Sequence, residues 1–198
     1  MAFHPDLNAI KTVLNKKQYK IFENKKGYDL NIVGIRTKDT TADKFNDFIT
    51  AFYVFEGQWS YFAFPATTDP GVYYRKHPLH VSGTAIMKPG QYRKAYKVGF
   101  HKRYKALQQI GPVTVYRDSD MDDELDTTGV PEDTGIHALN IHKASAVYPS
   151  ETVGKWSAGC QVFQDSHHFE FFMTLCDKAK DIYGNEFTYT LIEEADFT

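Results

Sequence analysis

Apolar side chains recur at Leu7, Ile10, Val13 and Leu14, the spacing of one helical face, with Pro5 and Asp6 ahead of them as start chemistry. A short amphipathic helix is predicted from about Asp6 to Lys17. After Gly27 the period shortens to that of strands, over Leu30–Arg36, Phe48–Phe55 and Trp59–Phe64, and the link Glu56-Gly57-Gln58 has the length and glycine of a hairpin turn. From Pro65 to Tyr92 turn residues dominate, with breaks at Asp69-Pro70-Gly71 and Lys88-Pro89-Gly90, so a loop-rich wrap around the sheet is expected. Strand patterns resume at Ala95–Phe100, Ala106–Ile110 and Pro112–Arg117, and Gly135–His142 reads as a further strand. Ser166–Tyr183 has helical spacing and Glu186–Ile192 alternates as a closing strand. With no repeat and no linker, residues 1–198 are expected to form one domain, mainly β in the α+β class, with a helix near each end of the sequence.

Composition supports an ordered chain rich in sheet: 42% of residues are hydrophobic and 15% aromatic, chiefly Tyr and Phe. A net charge of −2 gives no global case for a nucleic-acid partner. The local basic run Arg93–Lys105 reads as a solvated strand pair rather than a phosphate-binding surface. No stretch approaches the roughly 18 apolar residues of a membrane span, and Met1–Asp6 does not begin an export signal. The expectation is a protein made in the cytoplasm, without a membrane span and with its oligomeric state open.

The two cysteines sit in different chemistry. Cys176 lies in the apolar run Phe171–Cys176, where a thiol behaves as a small hydrophobe, whereas Cys160 follows the turn-like Ser157-Ala158-Gly159. A thiol at its ordinary pKa is mostly protonated at neutral pH and needs an imidazole beside it to become a nucleophile. His142, eighteen positions earlier at the end of the expected strand, is the candidate base. Gly159 permits close backbone approach, and N–H groups at such a turn can hold an oxyanion. The alternative is a buried histidine and a small residue at a tight turn. His137 is expected on the opposite strand face, as a structural or supporting residue.

The pair Ile141-His142, followed by Ser157, Gly159 and Cys160, resembles the signature of the L,D-transpeptidase catalytic domain, and Lys88-Pro89-Gly90-Gln91-Tyr92 is similar to a turn of that family. The longer runs Asn140–His142, Trp156–Phe163, Ala66–Gly71 and Phe187–Leu191 also resemble proteins of tailed bacteriophages. The resemblance implies an L,D-transpeptidase-like β-sandwich with a helix after the catalytic Cys160. It further implies catalysis by Cys160 and His142 with help from Gly159 and Ser157, and no cofactor required for catalysis. Substrate-binding positions would include Lys143, Trp156, Gln161, Tyr92 and His137, and the partner would be a peptidoglycan stem peptide. Three departures from the pattern stand out: Ala158 stands where a His precedes Gly-Cys, Gln161-Val162 where a branched residue and Arg follow, and Lys143 where a small residue follows the His. These leave nucleophile and base intact but open the choice between transfer and hydrolysis. A phage L,D-carboxypeptidase, endopeptidase or endolysin acting at the bacterial cell wall is one expectation. A virion or tail module that keeps the fold without activity is the other.

Two metal readings arise. Asp118, Asp120, Asp122, Glu124 and Asp126 place acids at every second position, as in a calcium loop, although Asp123 and Gly129 stand where such a loop needs Gly and Glu. A structural calcium site and a solvated acidic hairpin both fit. His167 and His168, with Cys160 and His142, raise a zinc alternative that lacks any closely spaced ligand pair.

Overall fold

The computed structural model describes residues 3–145 and 147–198. Met1 and Ala2, part of the stretch inspected for an export signal, and Ala146, in the loop after Lys143, lie outside the described residues.

The first helix, α1, spans Leu7–Lys16, and the Asp6 carboxylate caps it by accepting the N–H groups of Asn8 and Ala9. Strand β1 (Asn31–Arg36) is followed by β2 (Asp47–Phe55) and β3 (Gln58–Thr67). The last two form a hairpin whose two turn residues, Glu56 and Gly57, both have positive φ (51° and 79°), the handedness that suits strand twist. A five-residue helix α2 (Val72–Lys76) and strand β4 (Thr84–Met87) occupy the segment expected to be loop. Then come β5 (Gly90–His101), β6 (Tyr104–Gln109), β7 (Val113–Asp118), β8 (Glu132–Gly135), β9 (Ile141–Lys143) and β10 (Gln161–Phe163). Helix α3 spans Ser166–Tyr183, and β11 (Phe187–Glu193) leads into a 3-10 turn, Glu194–Phe197.

The chain is mainly β with helices, as its pattern implies, but the sheets do not form two open layers. Eight strands close into a barrel in the order β1-β11-β5-β6-β9-β10-β3-β2, and β4, β7 and β8 form a separate three-stranded sheet. Closure leaves no barrel edge unpaired. It depends on two parallel contacts, β1 with β11 and β9 with β10, that join segments distant in sequence.

Strand alternation divides the apolar side chains between two cores. Ile32, Ile49, Ala51, Tyr96, Ile141, Phe163 and Tyr189 pack with Phe169, Phe172, Met173, Leu175 and Cys176 of α3. On the other face Val33, Ile35, Phe52 and Ile192 receive Ile10, Val13 and Leu14 of α1. Each such fully buried side chain contributes about 2 kcal/mol, so α1 is held to the barrel by its apolar stripe more than by its ten residues' helical tendency.

The expected strand Gly135–His142 is broken. Ala138 has φ +58°, Asn140 N–H bonds back to the Ala138 carbonyl (3.0 Å), and only Ile141–Lys143 pairs in the barrel. Gln109 explains how this kink is held. Its side-chain carbonyl accepts the N–H groups of His137 (3.1 Å) and Leu139 (2.9 Å), and its amide donates to the carbonyls of Gly111 and Gly135. The kink turns Ala138 and the residues after it toward the cleft described next.

Candidate active site

Strands β9 and β10 run parallel with Ile141 opposite Gln161 and Val162 opposite His142. Cys160, one residue before β10, therefore shares a face with His142 and Val162, while Ile141, Gln161 and Phe163 point the other way. Both Cys160 and His142 line one cleft of about 630 Å³, together with His101, Lys102, Arg117, His137, Lys155 and Trp156.

His142 is 2% exposed. Its Nδ1 lies 2.8 Å from the Lys143 carbonyl, an acceptor only, so Nδ1 carries the proton and Nε2 presents a lone pair. The Tyr104 hydroxyl donates to the same carbonyl (3.2 Å). Nε2 is buried and has no hydrogen-bond partner. The His101 ring stacks on His142 at 4.0 Å between centroids, and Asn140 holds His101 through its amide (3.1 Å to Nδ1). Burial first, then the neighbouring His101, push the His142 pKa down to about 3. Burial and Lys102 lower that of His101.

Cys160 is 8% exposed, and its thiol donates to the Ala138 carbonyl at 3.6 Å. Burial pushes the thiol up to about 11, against the opposing influence of the Asn140 N–H. Desolvation thus moves both groups toward their neutral forms, so the resting pair is thiol and imidazole rather than an ion pair. No hydrogen bond joins the two: the thiol is bonded to the Ala138 carbonyl and His142 Nε2 has no partner.

The turn before Cys160 is built tightly. Ser157 Oγ donates to the Cys160 carbonyl (2.8 Å) and accepts the Gly159 N–H (3.1 Å). Ser157 is therefore a fully buried brace, and the Gly159 N–H expected to face an oxyanion is already used. Gly159 has φ +116°, and a Cβ there would stand 2.3 Å from the Ala85 carbonyl oxygen of β4. From the other side Gly71 N–H bonds the Ser157 carbonyl (2.9 Å), and Asp43 accepts the N–H groups of Val72 and Gly154.

Other expected site residues divide. Trp156 lies half-exposed on the cleft, and His137 lines it on the kinked segment rather than on a regular strand face. His137 Nδ1 lies 3.1 Å from the Arg117 guanidinium. Gln161 faces the interior, bonding the Gly159 carbonyl and accepting the Tyr189 hydroxyl (2.7 Å), because strand alternation turns it away from Cys160. Lys143 points across Tyr104 to pair with Glu170 of α3 (2.9 Å), outside the cleft. Tyr92 is tied by its hydroxyl to the carbonyls of Lys88 and Thr114 and packs against the core.

Among the cleft residues not anticipated are Arg117 and His101, the latter held by Asn140. Arg117 of β7 is buried, donates twice to Asp133 (2.7 and 3.1 Å) and borders the cleft, a cation supplied by a different sheet from the one bearing Cys160. His101 sits at the tip of the basic hairpin, the one sequence signal that pointed toward it.

In the acidic loop only Asp118, Asp120 and Asp126 converge, with one carboxylate oxygen each within 4.8 Å of the others. Asp122, which accepts the Glu124 N–H (2.7 Å), and Glu124 stand outside this cluster, so three of the expected five acids converge. Burial and then the neighbouring carboxylates push Asp118 up to about 6. Among the described residues this is the one cluster of metal-ligand side chains, so Cys160, His142, His167 and His168 do not assemble for zinc. His167 bonds Asp165 and His168 packs near Phe64. No helix is long and apolar enough to cross a membrane. Comparison with family models, curated proteins and solved structures finds no match to this chain.

Proposed function

We propose that this protein is a cysteine acyl-transfer enzyme of the L,D-transpeptidase type, acting on peptidoglycan stem peptides, with Cys160 as nucleophile and His142 as base. The observation that carries the reading is that His142, with Nδ1 fixed by the Lys143 carbonyl and Nε2 without a partner, lines the same cleft as Cys160. A base needs that arrangement: one nitrogen oriented, the other free.

In the proposed reaction Cys160 Sγ attacks the carbonyl carbon of the residue preceding a D-amino acid, and the thiol proton passes to His142 Nε2. The C–N bond breaks, the proton leaves with the amine, and a thioester remains on Cys160. Water then attacks with His142 as base, releasing the acid and restoring the thiol; an amine attacking instead would complete a transfer. Hydrolysis is the outcome favoured for a lytic role. The cationic lining of Lys102, Arg117 and Lys155 suits a substrate that carries a free carboxylate.

The second reading is a non-catalytic wall-binding or virion module. It is favoured by the thiol's bond to the Ala138 carbonyl and its raised pKa. Incubation with stem tetrapeptides, read by mass spectrometry of the peptide products, separates the two. Loss of the terminal D-residue, or its exchange, with wild type and not with Cys160→Ala supports the enzyme. Unchanged peptides in both would support the module.

A further inference from the structure

We propose that the loop from Asp118 to Asp126 binds a hard divalent cation of the calcium type through the carboxylates of Asp118, Asp120 and Asp126. This site is separate from the cleft chemistry and does not rest on it.

Proximity is the first argument. The three residues each offer an oxygen within 4.8 Å of the others. Calcium binds oxygens at about 2.3–2.6 Å, so two ligands at opposite poles stand roughly 4.8 Å apart, and one ion can reach all three. Water and backbone carbonyls commonly complete its shell.

The second argument is independent of the clustering. Asp118 is 2% exposed, and its Oδ2 is buried without any hydrogen-bond donor. An unpartnered buried carboxylate oxygen is costly, and native proteins nearly always give such a group a partner. The nearby cations are engaged with other groups: Arg117 with Asp133 and the Gly83 carbonyl, Arg75 with the carbonyls of Pro70 and Asp123, and Lys76 with the Asp123 carboxylate. A bound cation would pair Asp118 Oδ2 and offset the repulsion among the three acids.

The position gives the site a structural consequence. Asp118 ends β7 one residue beyond Arg117, and it pairs with Thr84 of β4. Gly83 rests on it so closely that a Cβ would lie 2.1 Å from the Asp118 carbonyl oxygen. Leu79 and His80, which border the cleft, belong to the segment leading to that contact. A cation at the loop would therefore fix the wall of the cleft that carries Arg117.

The test is isothermal titration of calcium chloride into the full chain, stripped with a chelator, in 0.15 M sodium chloride. We expect one equivalent bound with Kd of about 10⁻⁵–10⁻³ M, the range of exposed calcium modules and weaker sensors. Magnesium chloride should bind at least tenfold more weakly, because its shorter bonds and strict octahedron suit the spread of oxygens less well. Asp118→Asn and Asp126→Asn should each weaken calcium at least tenfold, whereas Asp122→Asn and Glu124→Gln should change it less than threefold. Asp126 is only half-buried, so its variant remains informative even if Asp118→Asn fails to fold. Absence of saturable calcium binding to 10 mM would overturn the proposal, as would equal losses in the Asp122 and Asp126 variants.

Discussion

Replacing Gly159 with alanine tests whether the Cys160 turn is wedged against β4 or merely passes near it. A non-glycine residue in the left-handed region costs about 1–2 kcal/mol. At φ +116° the strain is unavoidable, and the new Cβ would also meet the Ala85 carbonyl oxygen at 2.3 Å and Leu139 Cδ2 at 2.9 Å, where ordinary contacts are 3.4–4 Å. Overpacking of that kind adds roughly 1–3 kcal/mol, because a backbone oxygen cannot step aside as a flexible side chain can. Gly57→Ala is the internal control: φ is +79° but nothing lies within 4 Å of the added Cβ, so only the strain is paid. For a chain of this size each kcal/mol shifts Tm by about 2–4 °C. Thermal unfolding followed by circular dichroism should show Gly57→Ala lower by about 2–8 °C and Gly159→Ala lower by about 4–20 °C. Equal shifts in the two variants would refute the wedge of the Cys160 turn against β4.

Other consequences follow from burial and from the direction of side chains. His142 is held near a pKa of about 3, below its value of about 6.5 in an unfolded chain, so the unfolded state takes up a proton first as the pH drops. That contribution to stability is full above pH 6.5 and is lost as pH falls toward 3. Urea midpoints across this range should fall less steeply in His142→Gln than in wild type; parallel curves would contradict the buried neutral imidazole. Cys160, raised to about 11, should be alkylated by iodoacetamide at pH 7 about a hundredfold more slowly than a thiol of ordinary pKa 9, and faster labelling would show a thiolate that the structure does not imply. Lys143→Ala should leave kcat/KM for a stem tetrapeptide within threefold, since Lys143 pairs with Glu170 outside the cleft. Arg117→Lys, which removes the fork that holds Asp133, should lower kcat/KM at least tenfold; the reverse ranking would restore Lys143 as the substrate-binding cation.

The elements readable in the sequence are those governed by local periodicity. Helix α3 occupies the predicted span Ser166–Tyr183, and α1 and the β2–β3 hairpin lie within a few residues of expectation. Barrel closure was not readable, because it rests on parallel pairing of β1 with β11 and of the three-residue strands β9 and β10. Four-residue strands such as β4 and β8 carry too few positions to show alternation, and they stand among turn residues. The kink at Ala138 has no glycine or proline to announce it and depends on Gln109, far away in sequence. Within the site, residue chemistry led us to expect His142 within hydrogen-bonding reach of Cys160; the structure places both on one face and in one cleft, with the thiol bonded to Ala138 instead. Gln161 was assigned to that cleft although it occupies the opposite face, an error of one position in a period of two. Arg117 and His101 reach the cleft from other strands, which no local pattern near Cys160 could indicate.

The central claim is that Cys160 becomes acylated with His142 as its base, and intact-protein mass spectrometry of an acid-quenched mixture with a stem tetrapeptide tests it most directly. The account predicts a mass increase equal to the acyl fragment, mapped by peptide digestion to Cys160. It also predicts no such adduct in Cys160→Ala, and adduct formation about 10²–10⁴-fold slower in His142→Gln. An unmodified wild-type mass under turnover conditions, or an adduct that survives in Cys160→Ala, would contradict it.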